Sequence, residues 1–426
     1  MKASFFYVFF LLLMVVSTAF AQGASNDKKE SDEYKKSVIL KAYRSNMKNK
    51  NYAGARKELD GAMKKYQEAA NDAHLYKYKV DALTQLIVAE NRKIYLNSRP
   101  DTVSYFNYVY ELYVTGLLCD SLEQNAMEEK RSLGKKAKPK LRNEVRVSML
   151  SYRKNVLNAG KYYYKKKDYP NAYKFFDMYA RTKNSEIFID KDGTSLITDP
   201  DDMKEVASLA VLSAYASSNY QGVTTYLDES LKVDGLKPQM LELGSKSAAE
   251  LGDTVRMLEL LESGFHAYPD IEYFFMTLIK FYNDSGEYDK ALQKVQAMIE
   301  LYPEKRDYWY MAGKEQMLLE MYNEALVSFE RCVEIEADDA EAYSSIGNIY
   351  LHDAQEMYAR FDVPITDPAY SERKELIDAL YEKACRAFEH AKLFDENNKE
   401  LWISGLRETY FKLNRGKELR SLEKYK

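Results

Sequence analysis

Cysteine is scarce. Only Cys119, Cys332 and Cys385 occur in 426 residues, an odd and widely spaced set that excludes a disulfide framework. There is no Cys-x-x-Cys motif, no Gly-rich phosphate loop and no nucleophile elbow. The four histidines, His74, His266, His352 and His390, are far apart, so none is paired at the i, i+4 spacing that a helical metal site uses. These absences point to a non-catalytic protein without a cofactor or metal. Charge is nearly balanced, with 62 basic and 66 acidic residues and a formal net charge of -4. With 46% hydrophobic residues, that balance argues against disorder and against nucleic acid as a partner.

Long apolar runs are also missing after the first 21 residues, which form a separate object. Lys2 supplies a positive charge, Phe5 to Val16 is uninterruptedly apolar, and Ala19-Phe20-Ala21 gives a small-x-small cleavage pattern. The run of 12 residues is short for a span of roughly 20, so residues 1–21 read as a signal peptide cut before Gln22. The segment resembles Sec signals of Gram-negative bacteria, which implies an exported protein and most simply a periplasmic one. Residues 22–35 are polar, without a helical stripe, and read as a flexible leader.

What is present is a register of 34 residues running from Lys204 to Asp339. In its clearest copy, with Glu272 as position 1, Phe275 is at 4, Leu278 at 7, Ile279 at 8, Tyr282 at 11, Tyr288 at 17, Ala291 at 20, Val295 at 24, Met298 at 27 and Pro303 at 32. The next copy starts at Arg306 and places Trp309, Ala312, Gly313, Tyr322, Ala325, Phe329 and Cys332 at positions 4, 7, 8, 17, 20, 24 and 27. Copies also begin at Lys36 and Arg153, the latter giving Gly160 at 8, Ala172 at 20 and Phe176 at 24. Small residues at 8 and 20 let two helices approach, and an aromatic at 24 fills the space beside them. This pattern resembles the tetratricopeptide repeat. The resemblance implies an all-α, right-handed superhelical solenoid of antiparallel helix pairs, with the first helices lining a concave face.

Position 20 follows the chain as Ala172, Val223, Met257, Ala291, Ala325 and Ala384, with steps of 51, 34, 34, 34 and 59. Two insertions, of 17 and 25 residues, are therefore predicted. The first, Ile187 to Met203, has apolar residues either side of Asp190-Lys191-Asp192-Gly193 and reads as a short β-hairpin. Asp190-x-Asp192-Gly193 is similar to the opening of a calcium loop, but the twelfth position is Asp201 where a glutamate belongs. The second insertion reads as a loop within residues 356–380, with helix ending near Arg360 and resuming near Ser371, because Pro364 and Pro368 break it. Between Asn71 and Lys140 the register is lost, and two longer helices are predicted, broken at Arg99-Pro100-Asp101 with Asp101 as cap. The organisation is thus repeats with irregular long helices over 36–203, then a regular array over 204–426 ending in a capping helix with Trp402, Leu406 and Tyr410 on one stripe.

Of 37 tyrosines, many occupy positions 11 and 17, where they pack between helices. Cys332 and Cys385 fall on second helices as small buried hydrophobes. The resemblance puts positions 2, 5, 9, 12 and 13 of each repeat on the concave face. Among them, Lys154, Lys161, Lys165, Lys246, Tyr273, Met276, Lys280, Asn283, Tyr310, Lys314 and Met317 are the candidate partner-binding residues, a set basic at its start and rich in Tyr and Met at its end. Leu157, Glu242 and Leu318 share those positions. The carboxylate clamp of chaperone-binding members is missing, since Met276, Lys280, Met311, Glu341 and Ser345 stand at its five positions. The expectation is an exported scaffold for a protein or peptide partner. The alternative is a glycan-binding or envelope transport and assembly accessory.

Overall fold

The computed structural model describes residues 34–96, 98–197, 203–360, 362–367 and 369–425. The expected signal peptide and all but the last two residues of the leader lie outside them. The described chain falls into two compact units, one up to residue 197 and the other from residue 203.

The first unit contains α1 (Lys36–Lys48), α2 (Tyr52–Lys65), the single turn α3 (Gln67–Ala70), α4 (Ala73–Tyr95), α5 (Thr102–Ser132), α6 (Arg142–Ser151), α7 (Arg153–Lys165) and α8 (Tyr169–Thr182). The second contains α9 (Met203–Ala216), α10 (Tyr220–Ser230), α11 (Lys237–Glu250), α12 (Thr254–Ala267), α13 (Glu272–Asp284), α14 (Tyr288–Leu301), α15 (Arg306–Leu318), α16 (Tyr322–Ile335), α17 (Ala340–Ala359), α18 (Ala369–Phe394), α19 (Ile403–Lys412) and α20 (Gly416–Ser421). Each first helix packs on the second helix of its own pair, and from α10 onward each second helix packs on the next first helix.

One turn joins the helices of every regular pair. Lys50, Lys167, Ser218, Gly252, Gly286 and Glu320, all at repeat position 15, adopt φ between 56° and 72°. The next residue donates its N–H back five positions, as Asn51 does to the Asn46 carbonyl at 2.9 Å and Met321 to that of Gln316 at 2.8 Å, which satisfies carbonyls left over at the helix end. In four pairs that same residue caps the second helix. Asn51, Asp168, Asn219 and Asp253 accept from the N–H three residues on. Asn414 has the same left-handed backbone, at φ 56°. The terminal pair α19/α20 is therefore built on the repeat's own turn, although its sequence reads only as a capping helix.

Inside the pairs that begin at Arg153 and Arg306 the glycine at 8 meets the ring at 24. A Cβ on Gly160 would stand 2.6 Å from the Phe176 ring, and one on Gly313 would stand 2.7 Å from that of Phe329. Both rings are fully buried, a burial that contributes roughly 1.5–3 kcal/mol for each side chain. At the carboxy-terminal end, Trp402, Leu406, Tyr410 and Leu422 close the core on Phe388.

The region that loses the register is two long helices, α4 and α5, packed along their lengths. Asp101 caps α5 by accepting from the Ser104 N–H at 3.0 Å. From the middle of α5, Glu123 accepts the N–H groups of Lys140, Leu141 and Arg142 and so caps the start of α6.

The expected β-hairpin is corrected. Among the described residues there is no strand, only one antiparallel bridge between Ile189 and Ser195 across a turn at Gly193. Ile187 and Phe188 instead form a short 3-10 turn, Glu186–Phe188, with both side chains buried. A strand would send neighbouring side chains to opposite faces, whereas the turn buries both. The second insertion is also mostly helix, because α17 runs to Ala359 and α18 starts at Ala369, with residues 362–367 irregular between them.

Candidate functional site

The surface to consider in the second unit is carried by the first helices α11, α13 and α15. Their apolar stripes face their partners, which leaves positions 2, 5, 9, 12 and 13 on the opposite side. Lys246 on α11 pairs with Glu242 at 2.5 Å and lies 4.7 Å above the Tyr273 ring of α13. The Glu242 hydrogen bond holds the Lys246 ammonium above its ordinary pKa. The Tyr273 hydroxyl sits 3.0 Å from Ser245 Oγ, and burial pushes its pKa up. Met276 is 44% exposed, one turn along from Tyr273.

Further along α13, Lys280 donates to Asp284 at 2.6 Å in an exposed pair. Asn283 turns toward α15 and donates from Nδ2 to Glu315 Oε1 at 2.8 Å. The Glu315 carboxyl is buried, which raises its pKa. Asn283 Oδ1 and Glu315 Oε2 are both buried acceptors without a hydrogen-bond partner. On α15, Tyr310 packs against Phe329 and lies under the Arg306 guanidinium at 4.4 Å. Lys314 and Leu318 are exposed, and Met317 is half-buried.

The structure thus joins Lys246 to Tyr273, and links Asn283 to a residue the sequence reading passed over, Glu315. Its signal was legible: Glu315 lies three residues after the buried Ala312, so it continues the inward stripe, where an acid is out of place. Ser245 was missed because it is a small residue at position 8. Lys154, Lys161 and Lys165 lie exposed on α7, in the first unit, with no carboxylate against them among the described residues. Leu157, placed on the same inner face by position, is buried.

The three thiols are free and buried. Burial pushes Cys119 and Cys332 up to about 12 and Cys385 up to about 11, so none is a ready nucleophile. Among the described residues no helix is long and apolar enough to cross a membrane.

Paired helices joined through a left-handed residue at position 15, with a glycine at 8 against a ring at 24 in two of the copies, form a fold similar to that of tetratricopeptide repeats. No family model and no curated protein matches the chain. Solved structures do resemble it. MamA AMB-1 aligns at 18% identity and a TM-score of 0.31 over 46% of this chain and 94% of its own. The C-terminal part of a TPR repeat-containing protein from Cytophaga hutchinsonii aligns at 13% identity and 0.31 over 59% and 99%. YrrB, described as a TPR protein with an unusual peptide-binding site, aligns at 16% identity and 0.31 over 48% and 91%.

Proposed function

We propose that the protein is an exported, non-catalytic scaffold that binds a protein or peptide partner along the first-helix face of its second unit. The observation that carries this reading is the run of adjoining side chains across α11, α13 and α15. Exposed Met276 and Leu318 stand among half-buried Tyr273, Tyr310 and Met317, residue types that anchor a partner by shape and by apolar area.

The test is site-specific photo-crosslinking in cells. A photoreactive residue at Met276 or Lys314 is expected to trap a discrete polypeptide, whereas one at Val255, which is 71% exposed on the second helix α12, is expected to trap none. Equal labelling from both faces, or capture of glycan alone, sinks the reading. Export is tested separately, by finding a mature chain that begins at Gln22 in the periplasmic fraction.

A further inference from the structure

The second insertion lengthens its helix pair. α17 and α18 have 20 and 26 residues, against 13 and 14 in α15 and α16, and their extra turns stand beyond the regular repeat. Together with α19 and α20 they line a cavity, open to solvent, of about 490 Å³, within the roughly 300–1,000 Å³ range of small-molecule sites. None of the candidate binding residues lines it.

Its lining combines exposed rings with unpaired donors. Phe411 is 69% exposed and Tyr358 is 55% exposed, on α19 and α17 respectively. Tyr381 is only 2% exposed, and its hydroxyl is buried without a hydrogen-bond partner. The Lys412 ammonium lies 4.4 Å above the Tyr358 ring and 5.9 Å from that of Tyr381, and it faces no carboxylate among the described residues. The one carboxylate in the lining, Asp378, is already paired with Lys374. The cavity therefore offers one uncompensated positive charge, a free hydroxyl and an open aromatic face.

We propose that this cavity binds the uronic acid residue of a short acidic saccharide. The sugar's apolar face lies on Phe411, its carboxylate is taken by Lys412, and the Tyr381 hydroxyl and Asn414 meet ring hydroxyls. A sugar fits better than a peptide. The described residues contain no strand edge for an extended chain to join, and a docked helix needs a long apolar groove, not a short cavity walled partly by polar groups. The proposal is independent of the first-helix face, so either can fail alone.

Titration of the intact mature chain with digalacturonate, followed by calorimetry, tests it. Saturable binding is expected, with neutral galactobiose at least about tenfold weaker, as for loss of a charge-assisted contact. Lys412→Gln is expected to weaken digalacturonate about tenfold at an unchanged melting temperature. Phe411→Ala, at an exposed position, checks the stacking, and Tyr381→Phe removes the hydroxyl alone. Absence of saturation, or unchanged affinity in Lys412→Gln, overturns the proposal. A short peptide ending in phenylalanine that outcompetes digalacturonate overturns it in favour of a peptide pocket.

Discussion

Gly313 and Phe329 meet so closely that a methyl group has no room between them: a Cβ on the glycine would stand 2.7 Å from the ring. Gly313→Ala is therefore expected to destabilise the second unit by about 1–3 kcal/mol through overpacking. Phe329→Leu should recover part of that loss in the double variant, because the smaller side chain yields space. Urea unfolding of the four proteins of this cycle gives the coupling. Additive losses would show that the contact is slack.

Arg306 binds Asp339 through two hydrogen bonds of 2.5 Å, and Asp339 also accepts from the Ala342 N–H at 2.9 Å to cap α17. The Asp339 side chain is almost fully buried. Arg306→Met leaves that charge unpaired and is expected to cost about 3 kcal/mol. Asp339→Asn keeps an acceptor for the cap and should cost less. Thermal melts of the two variants rank them, and the reverse order would contradict the assignment.

Glu123 holds the start of α6 with four hydrogen bonds from three successive N–H groups, between 2.7 and 3.1 Å. Glu123→Ala leaves those donors without their acceptor and should cost about 1–3 kcal/mol. Hydrogen exchange should show the loss first at Lys140 to Arg142. Protection unchanged there would mean that α6 is held by packing alone.

The buried thiols predict an alkaline response. Their pKa values are raised above the ordinary value near 9, so the stability they favour is fully present below that pH and is lost as pH rises through about 11 to 12. At pH 8 the native protein should react with a thiol reagent only after denaturant is added. Rapid labelling of the native state at any of the three would show that its site opens.

Much of the fold was legible in the chain. A 34-residue period, small residues at 8 and 20, and breakers at Pro100, Pro364 and Pro368 depend only on local spacing and backbone sterics. They placed the helix pairs, the two long helices and the ends of α17 and α18. The left-handed turn was hidden because Lys50, Lys167, Ser218 and Glu320 share a backbone conformation but no side-chain type.

The sequence by itself determined the period, and with it which side chains could pack within a pair. Only the tertiary structure decided which of the remaining side chains are free. Leu157 went inside, Lys246 was taken up by Glu242 and Tyr273, and Asn283 found Glu315 on the next first helix. The contacts of Lys246 with Tyr273 and of Asn283 with Glu315 join residues about 30 positions apart, and their formation depends on how closely one pair stacks on the next. The same holds for the cavity around Lys412: its walls come from α17 and α18, which the insertion lengthened, and from α19 and α20, which the fold brings against them.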